Sequence, residues 1–344
     1  MIVNPMRHQR GFNLIELMIG LTISLMGLAA VASMMMTFSK TRNTLAQTQA
    51  AQDNGVMALY RLERDLGQAG YGMWNLRACT TITNPGQPDI SPVPVRINFG
   101  GTGISDTITI QGTNPATGNP GTELSAVTAG GNTMTSTQFN VRSSLGFAVG
   151  DRVVTNALAP SCTLVTVNSV SASVTVSGRT TASIGYDTPT LSTTANPGFV
   201  AYFGNGGPAG EFFSRNYAVG LTGLTVGDYP AYTTSNLVDG IVFMKAQYGL
   251  SATATNPTVT RWVSGATVIN AANVQLVKAI RIGVVARSAR REDGEVDQPN
   301  PLPLFDEKPD ASGLTDAVSY TIPDLKARYR AYSTIVPLKN AIWN

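Results

Sequence analysis

Hydrophobic positions follow three successive patterns along this chain. From Phe12 to Phe38 the residues are apolar or small almost without interruption, and Glu16 is the only charge among them. A helix of that span is about 40 Å long at 1.5 Å per residue, more than a bilayer core requires. After Lys40 the pattern turns amphipathic. Leu45, Gln52, Val56, Leu59, Leu62 and Leu66 recur at spacings of three, four or seven. This predicts that the helix continues with one face on a globular body, while Arg61, Glu63, Arg64 and Asp65 mostly face water or cap its end. No proline stands between Pro5 and Pro85 to break the helix, and Gly67, Gly70 and Gly72 stop it. Gly20, Gly27 and Gly55 weaken it locally but let neighbouring helices approach.

From residue 80 onward short β-branched or alternating runs are separated by turn-rich stretches, the signature of strands. The first half of this region predicts strands at Val93–Phe99, Asp106–Gln111, Arg152–Thr155, Leu164–Val170, Ser173–Ser177 and Val200–Phe203. The second predicts Leu237–Tyr248, Thr258–Val263, Val274–Arg287, Val318–Thr321 and Arg328–Leu338, with loops at Gly112–Gly121, Gly204–Gly210 and Glu292–Pro309. Residues from about 100 to 197 are so rich in Thr, Ser and Gly that they are expected to form a β insertion. The fold class is therefore α+β: a long N-terminal helix, membrane-spanning in its first half, packed on a large β-rich head. The expected segments are a leader at 1–11, a transmembrane helix at 12–38, its amphipathic continuation at 39–72 and the head at 73–344.

The order of residues at the start sets this chain apart from an ordinary secretory signal, in which the cleavage site follows the apolar region. Here Arg7, His8 and Arg10 are followed at once by Gly11. Cleavage after Gly11 removes the basic residues and leaves the apolar helix on the mature protein. A cut near Ala29-Ala30 fits less well, because apolar residues continue through Met34-Met35-Met36 to Phe38. Glu16 needs compensation, since a carboxylate near the middle of a spanning helix costs about 2.5–3.5 kcal/mol. It either lies near the interface and snorkels or pairs with a cation. A cut after Gly11 creates such a cation, the free ammonium of Phe12, and Glu16 of one subunit could pair with the Phe12 amine of another.

Gly11-Phe12 followed by Glu16 and an apolar run resembles the type III signal of type IV pilins and of the related pseudopilins of type II secretion. In those families a membrane aspartyl protease cuts after the glycine and methylates the new terminus, and the glutamate guides assembly. The resemblance implies that Gly11 is the cleavage position, Phe12 the methylated terminus and Glu16 the assembly carboxylate. Leu62-Glu63-Arg64-Asp65-Leu66-Gly67-Gln68-Ala69-Gly70-Tyr71-Gly72 is similar to the segment after the long helix in PilW-type minor pilins. The stretch from Arg328 to Asn340 is similar to their closing strand; Gln247-Tyr248-Gly249 and the run from Val277 to Arg287 add to the resemblance. Many relatives carry a cysteine directly after Gly72, where this chain has Met73.

Composition agrees with an exported β-rich protein: charged residues are only 13%, and there are 34 glycines. The net charge is +3, and losing Arg7 and Arg10 removes two of those positive charges, which leaves no electrostatic footprint for nucleic acid. The two cysteines, Cys79 and Cys162, stand in a body that would lie outside the cytoplasm, and a disulfide is expected; the alternative is two buried thiols. His8 is the only histidine and lies in the leader, so the mature chain lacks the imidazole of a Ser-His-Asp or Cys-His site and of histidine metal ligation. No enzyme activity, cofactor or metal is expected. Glu292, Asp293, Glu295 and Asp297, flanked by Arg290 and Arg291, read as a solvated charged loop without EF-hand spacing. Gly204-Asn205-Gly206-Gly207 lacks the Lys-Ser/Thr ending of a phosphate loop and reads as a turn. Trp74, Trp262, Trp343, Tyr229, Tyr232 and Tyr248 are either core residues or a contact surface.

The resemblance implies a minor pilin that enters and primes a type IV pilus, within a tip complex. Its implied partners are other minor pilins and the major pilin through the N-terminal helix, the prepilin peptidase, the inner membrane and, at the tip, an adhesin. The head would lie in the periplasm and then on the pilus at the cell surface. Two other readings are compatible with the residues: a J-type pseudopilin of type II secretion, and a membrane-anchored adhesive or carbohydrate-binding module.

Overall fold

The structure is a computed structural model of the 344-residue chain and describes residues 13–342 apart from 74–75, 77–78, 114–120, 126–133, 173, 177–178, 188–197, 206–211, 229–232, 271 and 306–316. The chain divides into two compact units, Met1–Ala50 and Ala51–Asn344. One α-helix, α1, runs over Leu14–Gln68, as the proline-free stretch predicts. An α+β architecture of one long helix and many strands is what the hydrophobic patterns imply.

Within the second unit the helix buries a stripe of mostly small residues: Ala51, Gly55, Ala58, Leu62, Asp65 and Leu66. Their four-three spacing keeps them on one side of a 3.6-residue period. The predicted face holds at Leu62 and Leu66, which are buried, and at Leu59, which packs against the core, but not elsewhere. Val56 and Leu45 are exposed, and Asp65, expected toward water, is only 4% exposed. The stripe packs into the main core together with Met244, Tyr248, Ile280 and Ile282.

Those core residues belong to a four-stranded antiparallel sheet in the order Arg261–Ser264, Ile241–Leu250, Val277–Arg287, Tyr329–Pro337. Val277–Arg287 is buried at every position but its last, because both faces are covered. Alternate residues Ile280, Ile282 and Val284 join the cluster containing α1, while Phe243 and Val285 join Leu302, Leu304, Phe305 and Tyr329 on the other side. The run predicted as one strand over Leu237–Tyr248 is two strands, broken where Gly240 takes φ 73°.

A second antiparallel sheet has the order Thr233–Asp239, Gly223–Asp228, Phe213–Val219, Thr107–Gly112, Val95–Asn98. Thr107–Gly112 and Phe213–Val219 pair directly, so the chain between them leaves this sheet and returns to it. Most strands of that intervening stretch form a third sheet in the order Thr122–Glu123, Phe199–Asn205, Asp151–Thr155, Val165–Val170, Arg179–Tyr186, Gln138–Val141, with Val174–Val176 paired to Arg179–Tyr186. Its two ends meet: Arg142 N donates to Glu123 O at 2.9 Å and Ser125 N to Asn140 O at 2.8 Å, and Leu124 bridges Val141. The third sheet therefore closes on itself around its own core, which includes Phe139, Val153, Val167, Ile184 and Tyr186. Among the described residues, closure leaves no long edge strand in this sheet.

Candidate functional site

Between Leu14 and Phe38 the apolar side chains of α1 are exposed on every side of the helix; Leu21 is 57% and Met35 74% exposed. The helix is long and apolar enough to cross a membrane. Its hydroxyl groups are largely turned back on the helix. Thr22 Oγ1 donates to Ile19 O at 2.9 Å, Ser33 Oγ to Ala30 O at 2.8 Å and Thr37 Oγ1 to Ser33 O at 3.0 Å, which lowers the cost of placing them in an apolar medium. Glu16 is the contrast. It stands in the first turn of α1, where the helix dipole favours an anion, and its backbone N bonds Asn13 O at 3.0 Å, but its carboxylate has no ion pair among the described residues. Gly11 and Phe12 lie outside the described residues. A Cβ at Gly20 or Gly27 would meet nothing within 4 Å, so these two positions are open to close approach by another helix.

The end of α1 is held by an arrangement that the hydrophobic pattern did not predict. Asp65 accepts hydrogen bonds from Arg215 Nη1, at 2.8 Å, and from the Tyr217 hydroxyl. Arg215 also reaches Asp228 at 3.1 Å through Nε. Burial, and then the bond to Asp65, pushes the Tyr217 hydroxyl well above its ordinary pKa. Burial alone would lower the Arg215 pKa, but Asp65, Tyr217 and Asp228 raise it on balance. Both donors therefore keep their protons at neutral pH. The helix stops at Gly70, with φ 76°, and Asn340 Nδ2 caps it by donating to Ala69 O at 3.0 Å. Within the Ala51-to-Leu66 stripe, a Cβ at Gly55 would collide with the Tyr332 ring. Glycine is what allows this close contact with the closing strand.

Cys79 and Cys162 form a disulfide with a Cα–Cα distance of 5.7 Å. It lies in a cluster with Met73, Leu76, Val154 and Phe212, beside the short parallel pairing of Thr81–Thr83 with Ser161–Thr163. The disulfide thus ties the chain after α1 to the segment between two strands of the third sheet, Asp151–Thr155 and Val165–Val170.

Other singled-out residues have structural places. Tyr248 is buried in the core, and its hydroxyl accepts from Ile97 N at 2.6 Å; burial pushes its pKa up to about 12. Trp262 packs under the Arg281 guanidinium at 4.8 Å. The charged loop is pinned by Arg328 to Glu292 and by Arg291 to Asp324 at 2.8 Å. Gly204 and Asn205, expected in a turn, end a strand. Trp74, Tyr229, Tyr232, Trp343, Gly206 and Gly207 lie outside the described residues.

Asp65 was missed because charge was weighed above spacing. It lies three residues after Leu62 and seven after Ala58, so the repeat of small residues was the available signal.

Two family models match the chain. Residues 6–32 match the prokaryotic N-terminal methylation motif, a stretch that contains Gly11, Phe12, Glu16 and the first part of α1. Residues 216–340 match the model described as type IV pilus-assembly protein W, from the strand of Tyr217 through the four-stranded sheet to the capping Asn340. No curated protein and no solved structure matches at a significant level. One match lies over the exposed apolar helix and the other over the sheet that seats its end, and together they support a type IV pilin-like minor pilin.

Proposed function

We propose that this minor pilin is incorporated into a type IV pilus and primes its assembly, as part of a tip complex. The observation that carries the reading is Glu16, a single carboxylate in the first turn of a helix whose other side chains through Phe38 are apolar or small and exposed. Such a helix leaves lipid only if other helices replace the lipid contacts and a cation satisfies the acid. Cleavage after Gly11 would supply that cation as the Phe12 amine of a neighbouring subunit. A small preassembled complex lowers the cost of the first extraction, which is what priming means physically. The partners are then other minor pilins, the major pilin and a tip adhesin, met through α1, with the prepilin peptidase acting first. The head is periplasmic before assembly and at the cell surface afterwards. Its role is structural.

Glu16→Ala tests this. Membrane insertion is expected to persist while the protein recovered in sheared pili falls severalfold, because removing a carboxylate eases insertion and abolishes the pair. Undiminished incorporation would contradict the charge-pair mechanism.

A further inference from the structure

We propose that the cleft at the C-terminal end of α1 docks an acidic, extended segment of a different protein subunit. The proposal deepens the reading of the chain as an assembly subunit and rests on it. The cleft has a volume of about 230 Å³ and is lined by Arg61, Arg64 and Asp65 of the helix and by Arg215, Tyr217 and Asp228 of the second sheet. Its two carboxylates are already engaged. Asp65 takes bonds from Arg215 and Tyr217, and Asp228 takes the Nε of the same Arg215. Arg61 and Arg64 add two guanidiniums that form no ion pair with any described residue. One positive charge is left in excess, carried by groups that present planar, bidentate donors for a carboxylate.

A second feature points to a polypeptide as the source of that carboxylate. Leu237, which also lines the cleft, belongs to Thr233–Asp239, the outer strand of its sheet. Among the described residues this strand pairs only with Gly223–Asp228, its side chains from Thr233 to Asn236 are exposed, and it carries no lysine or proline of the kind that blunts an open edge. An extended segment pairing along it gains backbone hydrogen bonds there and places alternate side chains toward the arginines. A free anion would use the arginines alone.

The test uses the purified full-length protein in detergent micelles and a fluorescein-labelled peptide of alternating glutamate and valine, read by fluorescence anisotropy. The peptide is expected to bind, to bind more weakly as salt rises, and to lose about tenfold in affinity in the Arg61→Glu/Arg64→Glu variant. The milder Arg61→Gln/Arg64→Gln variant, with an unchanged melting temperature, is expected to show an intermediate loss. Three results would overturn the proposal: equal binding by the variants, equal binding of a glutamine-valine peptide, or displacement by equimolar inorganic phosphate. Self-association of the free protein that both variants abolish would replace the different subunit with a second copy and overturn that assignment. The readout needs neither leader cleavage nor a filament, so its failure is separate from a failure of the pilin reading.

Discussion

From Leu14 to Phe38, α1 carries leucines, isoleucines and methionines on every side, and all of the large ones are more than half exposed. From Ala51 to Leu66 the same helix buries two alanines, two leucines, a glycine and an aspartate, while Val56 and Tyr60 remain exposed. Ranking residues by hydrophobicity would assign the core to the wrong stretch. In the later stretch, burial is decided by shape and by hydrogen bonding: Gly55 admits the Tyr332 ring, and Asp65 is buried because two donors meet it. In the earlier stretch the side chains suit an apolar medium, lipid or other helices, and the only costly group is Glu16.

Three sets of variants would break or sharpen this contrast. Cys79→Ser with Cys162→Ser opens a loop of 83 residues, and the chain-entropy model gives a loss of about 4–5 kcal/mol. The urea midpoint of the head is expected to fall accordingly, and reductant should do the same to the unaltered protein; an unmoved midpoint would show that the cluster around the disulfide suffices without it. Asp65→Ala leaves Tyr217 without its acceptor and costs about 2–3 kcal/mol, less than a fully buried ion pair because Arg215 is partly exposed and keeps Asp228. A midpoint within error of the original would mean that the buried acid is dispensable. The smallest effect compares one substitution at two places in α1. Gly55→Ala collides with Tyr332 and should cost about 1–2 kcal/mol despite the better helix former. Gly20→Ala meets open space and should leave the midpoint of the head unchanged. Equal responses at the two glycines would erase the distinction between the two stretches.

Much of this organisation was legible before the structure. The helix could be read from the absence of proline, and Val277–Arg287 from its unbroken apolar run, which marks a strand covered on both faces. Short strands such as Gly223–Asp228 and Phe213–Val219 escaped notice. Gly223–Asp228 carries two glycines and an aspartate, and Phe213–Val219 is interrupted by Ser214, Arg215 and Asn216, so they are strands because of their neighbours rather than their own propensity. The self-closed sheet could not be inferred either. The insertion was expected at about 100–197, and its strands run from Thr122 to Asn205; closure depends on Glu123 and Leu124 meeting Asn140, Val141 and Arg142, pairings that no local pattern encodes. At the candidate site, Glu16 was legible because a lone charge in an apolar run is conspicuous. The Asp65 network was not, because its partners Arg215 and Tyr217 lie 150 or more residues away in sequence.

The account depends most directly on how the chain begins once it is in the membrane. Mass spectrometry of the protein from membranes of cells with and without the prepilin peptidase would determine this. The account predicts a mature chain starting at N-methylated Phe12 when the peptidase is present, and an intact leader through Gly11 when it is absent. An uncut Met1 in both, or a cut beyond residue 29 that removes Glu16 with the apolar stretch, would contradict it.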